Sequence, residues 1–311
     1  MNVKSVGYAY LAIALLTVLI NVIAAFTRPA ALFDEYVFIS ILSELIILMP
    51  LMALLPGTKS GVLKMLRIKK IKPTTALLSV VYMICCYPIA ISMNMISLSV
   101  TSSRAVEMVT EEIDKPFALI FFLSAVMAPV AEELAYRGIV LGGLKTTGRI
   151  FTPILVSGLM FGLNHMNLNQ FSYTMVLGIM WGLLVEASGS IFTSLICHVL
   201  INGFSTVMAF VTFDSISQIE DALGEMAQQP GLYYMESGLV LFVIGVIFLV
   251  LAMLLLKAIS LNEGRSGCFE NIFRRKLPYE RYKSLFTPAL IAGMVIMSAF
   301  VIGDTVFYLF F

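Results

Sequence analysis

Apolar runs separated by short polar breaks fill the chain from end to end. A hydrocarbon core of about 30 Å takes roughly 20 helical residues to cross. Stretches of that order lie near 8–26, 36–55, 74–99, 117–143, 190–211, 238–257 and 286–311, with two shorter ones near 151–165 and 171–186. No polar interruption is large enough to hold a second folded unit. The pattern predicts an all-α polytopic transmembrane bundle of eight or nine segments, one integral membrane domain over 1–311. The first segment follows Lys4 as the core of a signal peptide would, but it is long and no small-residue cleavage site follows, so it reads as an uncleaved anchor.

Composition agrees: 59% of the 311 residues are hydrophobic and 13% charged, with mean hydropathy +0.96, against about 45–50% apolar residues in a soluble domain. A net charge of +1 offers nothing to nucleic acid. Cys85, Cys86 and Cys197 fall in apolar runs and Cys268 in a basic loop, so they read as small core residues rather than a disulfide framework.

Loop charge predicts orientation, because lysine and arginine are retained on the cytoplasmic side. Nine alternating segments starting from a cytoplasmic N-terminus place inside all but Arg28, Arg104, Lys115 and Arg137 of the 20 basic residues. Dropping either short segment alone would put the basic loop 258–285 outside, so both count as spans. The outer loops 104–115 and 212–237 are acidic, and in the second Ile216, Ile219, Leu223 and Met226 recur at the spacing of an amphipathic surface helix.

The charge that changes the picture is intramembrane. Within 117–143, Glu132, Glu133 and Arg137 sit in "EELAYR". Each charged residue at the centre of a span costs on the order of 3 kcal/mol, so they need partners or a task. Glu133 and Arg137, four apart, share a face and can neutralise each other, while Glu132 points away and is the free carboxylate. Such a group can take a proton from water. Tyr136 shares the face of Glu132 and is placed to hydrogen-bond it.

Only two histidines exist, and both close or occupy apolar runs: His165 in "FGLNH", one turn after Phe161, and His198 in "HVLIN", one turn before Asn202. The imidazole and carboxamide of the second pair can converge on one oxygen, as a tetrahedral oxyanion requires. At about 1.5 Å per residue from the cytoplasmic helix ends, Glu132 lies about 16 Å deep, His165 about 21 Å, His198 about 12 Å and Asn202 about 18 Å. Four polar groups from three helices can therefore meet near mid-membrane, tolerable only in a water-filled cavity.

Together these residues resemble the CAAX prenyl protease and bacteriocin-processing (CPBP or Abi) family of glutamate intramembrane proteases. Its motifs Glu-Glu-x-x-x-Arg, Phe-x-x-x-His and His-x-x-x-Asn, each on its own helix, stand here at 132–137, 161–165 and 198–202. The resemblance covers roughly 117–210, a catalytic core within the larger domain. It implies an endopeptidase in which Glu132 activates water with help from His165, and His198 and Asn202 hold the oxyanion. Glu133, Arg137, Phe161 and Tyr136 would support them. The implied partners are a peptide or protein substrate, lipidated or not, and membrane lipids; short loops and the lack of a targeting tail point to a prokaryotic plasma membrane.

Other readings remain open. Two histidines and a glutamate could bind zinc, but the chain lacks a His-Glu-x-x-His helix and Asn202 is a poor ligand, so no cofactor is expected. Ser157, Ser188 and Ser190 lie near glycines without a Gly-x-Ser-Gly pattern. Glu44 and Glu186 lie near or within spans and could contact the cavity, but read first as packing or interfacial residues; Trp181 reads as a packing and lipid contact. A transporter or a membrane scaffold that binds without cutting would use the same charges to line a path or fix a surface.

Overall fold

The computed structural model describes residues 2–27, 35–55, 61–102, 115–226, 230–272 and 284–310. The protein is a helical membrane bundle, with no strand among the described residues. Its long helices are α1 (Val3–Thr27), α2 (Glu35–Met52), α3 (Pro73–Leu98), α4 (Phe117–Thr147), α5 (Phe151–Leu163), α6 (Leu168–Ser188), α7 (Ile191–Met226), α8 (Pro230–Asn262) and α9 (Pro288–Phe310). Seven are long and apolar enough to cross a membrane, and α2 and α5 are shorter apolar helices.

Two expectations change. The run near 171–186 belongs to a 21-residue helix of spanning length, because "LNQ" before it is wound in. The run near 36–55 is instead the shorter one, its apolar helix covering Val37–Met52. The stretch around Ile216, Ile219, Leu223 and Met226 continues α7 in helical form; their side chains lie outside the described residues.

Close helix contacts come from small residues, as expected where lipid is as apolar as the side chains and only intimate packing favours association. Gly158 and Gly162 on α5 face α6, where a Cβ on Gly178 would stand 3.0 Å from Gly158 Cα and 3.0 Å from Phe161 Cδ1. On α8, a Cβ on Gly245 would meet the Ile89 backbone of α3 at 2.9 Å. The far side of α8 exposes Val243, Ile247, Val250 and Leu254, an apolar face suited to hydrocarbon. The end of α8 is tied to the start of α3 by Glu263, which accepts from Thr75 Oγ1 at 2.7 Å and Lys72 N at 3.0 Å. Burial works against the charge of Glu263, yet these donors and Lys69 outweigh it and hold the carboxyl below its usual range.

α5 is 13 residues long, about 20 Å, too short to cross by itself. The chain turns at Asn164–Asn167, with Met166 at φ 58°, and α6 returns alongside. Irregular backbone at depth is tolerated when protein covers it and its polar groups are bonded. Both hold here: Asn167 accepts from Gln170 N at 2.8 Å, capping α6, and donates to His165 O at 2.7 Å.

Glu186, near the end of α6, is a buried hub. Its carboxylate meets Arg67 Nη2 at 3.0 Å, Lys145 Nζ at 2.5 Å and Arg265 Nη2 at 3.7 Å, and its carbonyl accepts from Cys268 Sγ at 2.9 Å. One acid thus gathers cations from three separate connections. Glu186→Ala leaves them repelling one another, with an expected loss of about 2–3 kcal/mol, below the 3–5 of a sealed pair because Arg265 reaches solvent. Thermal unfolding in detergent measures it, and an unchanged transition would show that the hub contributes no net stability.

Candidate active site

The site begins with an irregularity in α4. Leu123–Met127 and Glu133–Val140 are wound as π-helix, separated by the α turn Ala128–Glu132. In the first wide turn, Ala128 N–H bonds back five residues to Leu123 O. The next bond in that register would join Ser124 O to the nitrogen of Pro129, which has no hydrogen. Ser124 O is therefore free, and Asn202 Nδ2 donates to it at 2.9 Å. Because a carbonyl only accepts, this contact also fixes which end of the Asn202 amide is nitrogen, and leaves its second N–H over.

Glu133 is fully buried and saturated with partners. Its Oε2 accepts from Ser194 Oγ at 2.5 Å, and its Oε1 lies 2.9 Å from Arg137 Nη1 and 3.1 Å from His198 Nδ1. The expected Glu133–Arg137 pair is present. It is a pairing of charge rather than direction, since neither Arg137 Nη1 nor Nη2 makes an aligned hydrogen bond. The guanidinium lies instead over the rings of Phe161, 4.3 Å to the centroid, and Trp181, 5.3 Å. Trp181, expected as packing, also stacks on His198, with centroids 4.5 Å apart.

Proton positions follow from the partners. His165 Nδ1 is 3.0 Å from Phe161 O, which can only accept, so Nδ1 carries the hydrogen and Nε2 a lone pair. His165 lies in the turn after α5 rather than within a helix. Likewise His198 Nδ1–H donates to Glu133, and its Nε2 faces Glu132 Oε2 at 3.4 Å.

All four predicted residues, Glu132, His165, His198 and Asn202, line one cavity of about 520 Å³, with Phe161 and Trp181 on its wall. Arg137 and Tyr136 are sealed behind it. Tyr136 does not bond Glu132: its Oη has no hydrogen-bond partner, and its ring meets Phe161 edge-on at 5.3 Å. The wide turn that starts at Glu133 breaks the simple one-turn relation between the two residues. The serines considered above are used elsewhere, with Ser157 donating to Tyr136 O, Ser188 to Ser190 O and Ser190 to Lys69 O. Glu44 of α2 and Asn94 of α3 also line the cavity, though neither belongs to a motif.

Fold and site together define an α-helical integral membrane protein with a polar cavity enclosed by helices. Within it, residues 114–204 match the model of the family described as Type II CAAX prenyl endopeptidase Rce1-like, and the segment is similar to that family. Over 90 residues the chain is 26% identical to the protein named "Putative membrane peptidase YdiL" of Bacillus subtilis, covering 29% of this chain and 37% of that one. The chain therefore spans well under half the length of that curated relative. No solved structure gives a significant match.

Proposed function

We propose that the protein is an intramembrane endopeptidase that hydrolyses a peptide bond with a glutamate-activated water. The supporting observation is the single cavity onto which Glu132, His165, His198 and Asn202 all open; the Rce1-like match over 114–204 supplies the protease class. In this reading Glu132 takes a proton from water, whose other hydrogen is held by the His165 Nε2 lone pair. The hydroxide attacks the scissile carbonyl carbon. The oxyanion accepts from the second Asn202 N–H and from His198 Nε2–H, whose charge Glu133 balances at Nδ1. The C–N bond then breaks, and the proton on Glu132 passes to the leaving amine.

The reading invokes no cofactor: Glu132 does what a metal-bound hydroxide would otherwise do. The substrate is a peptide or protein, lipidated or not, approaching from the side of the basic loops, which the proposal takes as the cytoplasmic face of a prokaryotic plasma membrane.

The test is cleavage of a peptide panel by the purified full chain in detergent or lipid, with products identified by mass. Asn202→Ala is expected to lower kcat by about 10²–10³ with little change in KM. Activity lost to a chelator and restored by zinc would replace the glutamate-activated water with a metal-bound one. Binding of peptides without any cleavage would favour the scaffold.

A further inference from the structure

Glu132 and Glu133 each meet the His198 ring, and Glu133 also pairs with Arg137. Glu44 stands outside those contacts. It projects from α2 into the same cavity as Glu132, beside Ser40 and Ser43. Its Oε2 is buried and has no hydrogen-bond partner. No lysine or arginine lines the cavity among the described residues, and Arg137 is held away behind Phe161 and Trp181. The remaining wall is largely apolar or neutral, with Tyr87, Ile91, Leu123, Met127 and Leu177. An ionised carboxylate in such surroundings is costly until a cation meets it.

We propose that Glu44 forms a subsite for a positively charged group of the substrate, an alkylammonium or guanidinium lying near the scissile bond. The proposal rests on the protease reading of the same cavity and gives its substrate class: a peptide carrying a basic group. The cavity of about 520 Å³ falls in the range of roughly 300–1,000 Å³ of small-ligand pockets, room for a short extended stretch of chain. The same site disfavours a substrate that presents a free carboxylate there, because that carboxylate would be buried beside Glu132 and, among the described residues, no lining cation would hold it.

Two sources could supply the cation, a Lys or Arg side chain or a free N-terminal amine, and the experiment separates them. Fluorescent peptides differing only as lysine, norleucine or glutamate at one position are titrated against the full chain in detergent, each N-acetylated or with a free amine. Binding is read by anisotropy and cleavage by mass. The expected order of affinity is lysine over norleucine over glutamate, about tenfold or more between the first two. Glu44→Gln abolishes that difference while leaving the norleucine peptide unchanged, and Glu44→Lys inverts it toward glutamate. If only the free amine confers the gain, and Glu44→Gln removes it, the cation is the terminus.

Equal affinity across the series in the unsubstituted protein, or a lysine preference that survives both Glu44 variants, overturns the subsite. Failure to cleave any peptide while the Glu44-dependent preference in binding persists would overturn the protease reading and leave the subsite standing.

Discussion

Glu132→Gln is expected to eliminate measurable peptide cleavage, a loss of roughly 10²–10⁴ in kcat from the missing general base alone, in a protein that folds and binds as before. Both parts follow from the geometry. The carboxylate is 7% exposed, on the cavity wall, and faces His198 Nε2 at 3.4 Å. An amide of the same shape keeps that contact by accepting from Nε2–H or donating to its lone pair, so no buried group is orphaned. What it cannot do is take a proton from water. KM for a bound peptide should stay within a few-fold, since removing an interaction made only in the transition state lowers kcat and kcat/KM together. The measurement is single-turnover cleavage beside a thermal unfolding curve. Undiminished cleavage by a homogeneous Glu132→Gln preparation would move the base elsewhere, with Glu44 the nearest other carboxyl on the cavity wall.

Much of this site could be read from spacing, because helical periodicity is a local rule. The four-residue steps from Phe161 to His165, from His198 to Asn202 and from Glu133 to Arg137 each identify one face without knowledge of any neighbour. The depth estimates rest on the same kind of rule: rise per residue is fixed by backbone hydrogen bonding. What escaped was everything set by contacts between distant segments. Glu186 looks like a lone acid in α6 because its cations, Arg67, Lys145 and Arg265, are scattered over three connections. Trp181 looks like packing because nothing in "GIMWG" announces the His198 ring stacked on it.

The π turns are an intermediate case. Pro129 in "APVAEE" signals a missing donor, but whether the helix kinks or widens depends on Asn202, 73 positions later, being there to take the released Ser124 carbonyl. The same widening explains why Tyr136, expected one turn from Glu132, packs behind Phe161 instead. Asn202 therefore has two duties in the proposed mechanism, one N–H fixing α4 and the other facing the cavity. This bears on any Asn202 variant: a change in the position of α4 would appear as lost stability as well as lost rate.

Glu133→Gln is the second large effect, and here stability falls first. Glu133 Oε1 and Oε2 together serve Arg137, His198 Nδ1 and Ser194 Oγ, all buried. Removing the charge leaves a guanidinium that is 1% exposed without the carboxylate that pairs with it, for an expected loss of about 3–5 kcal/mol. The amide keeps its oxygen toward Arg137 and His198 only by turning its nitrogen to Ser194 Oγ, which must then accept instead of donating. Replacing Arg137 as well separates the two duties. In Glu133→Gln/Arg137→Met the isolated cation is gone and an unbranched apolar chain fills its place against Phe161 and Trp181, so most of the thermal stability should return. Cleavage should not return, because His198 still lacks the carboxylate that supports an Nε2–H donor toward the oxyanion. If the double variant recovers both stability and rate, Glu133 acts only as the counter-ion of Arg137, and His198 needs no help to hold its proton. If it recovers neither, Arg137 is required for more than charge, through the position it gives Phe161 and hence the His165 hydrogen bonded to the Phe161 carbonyl.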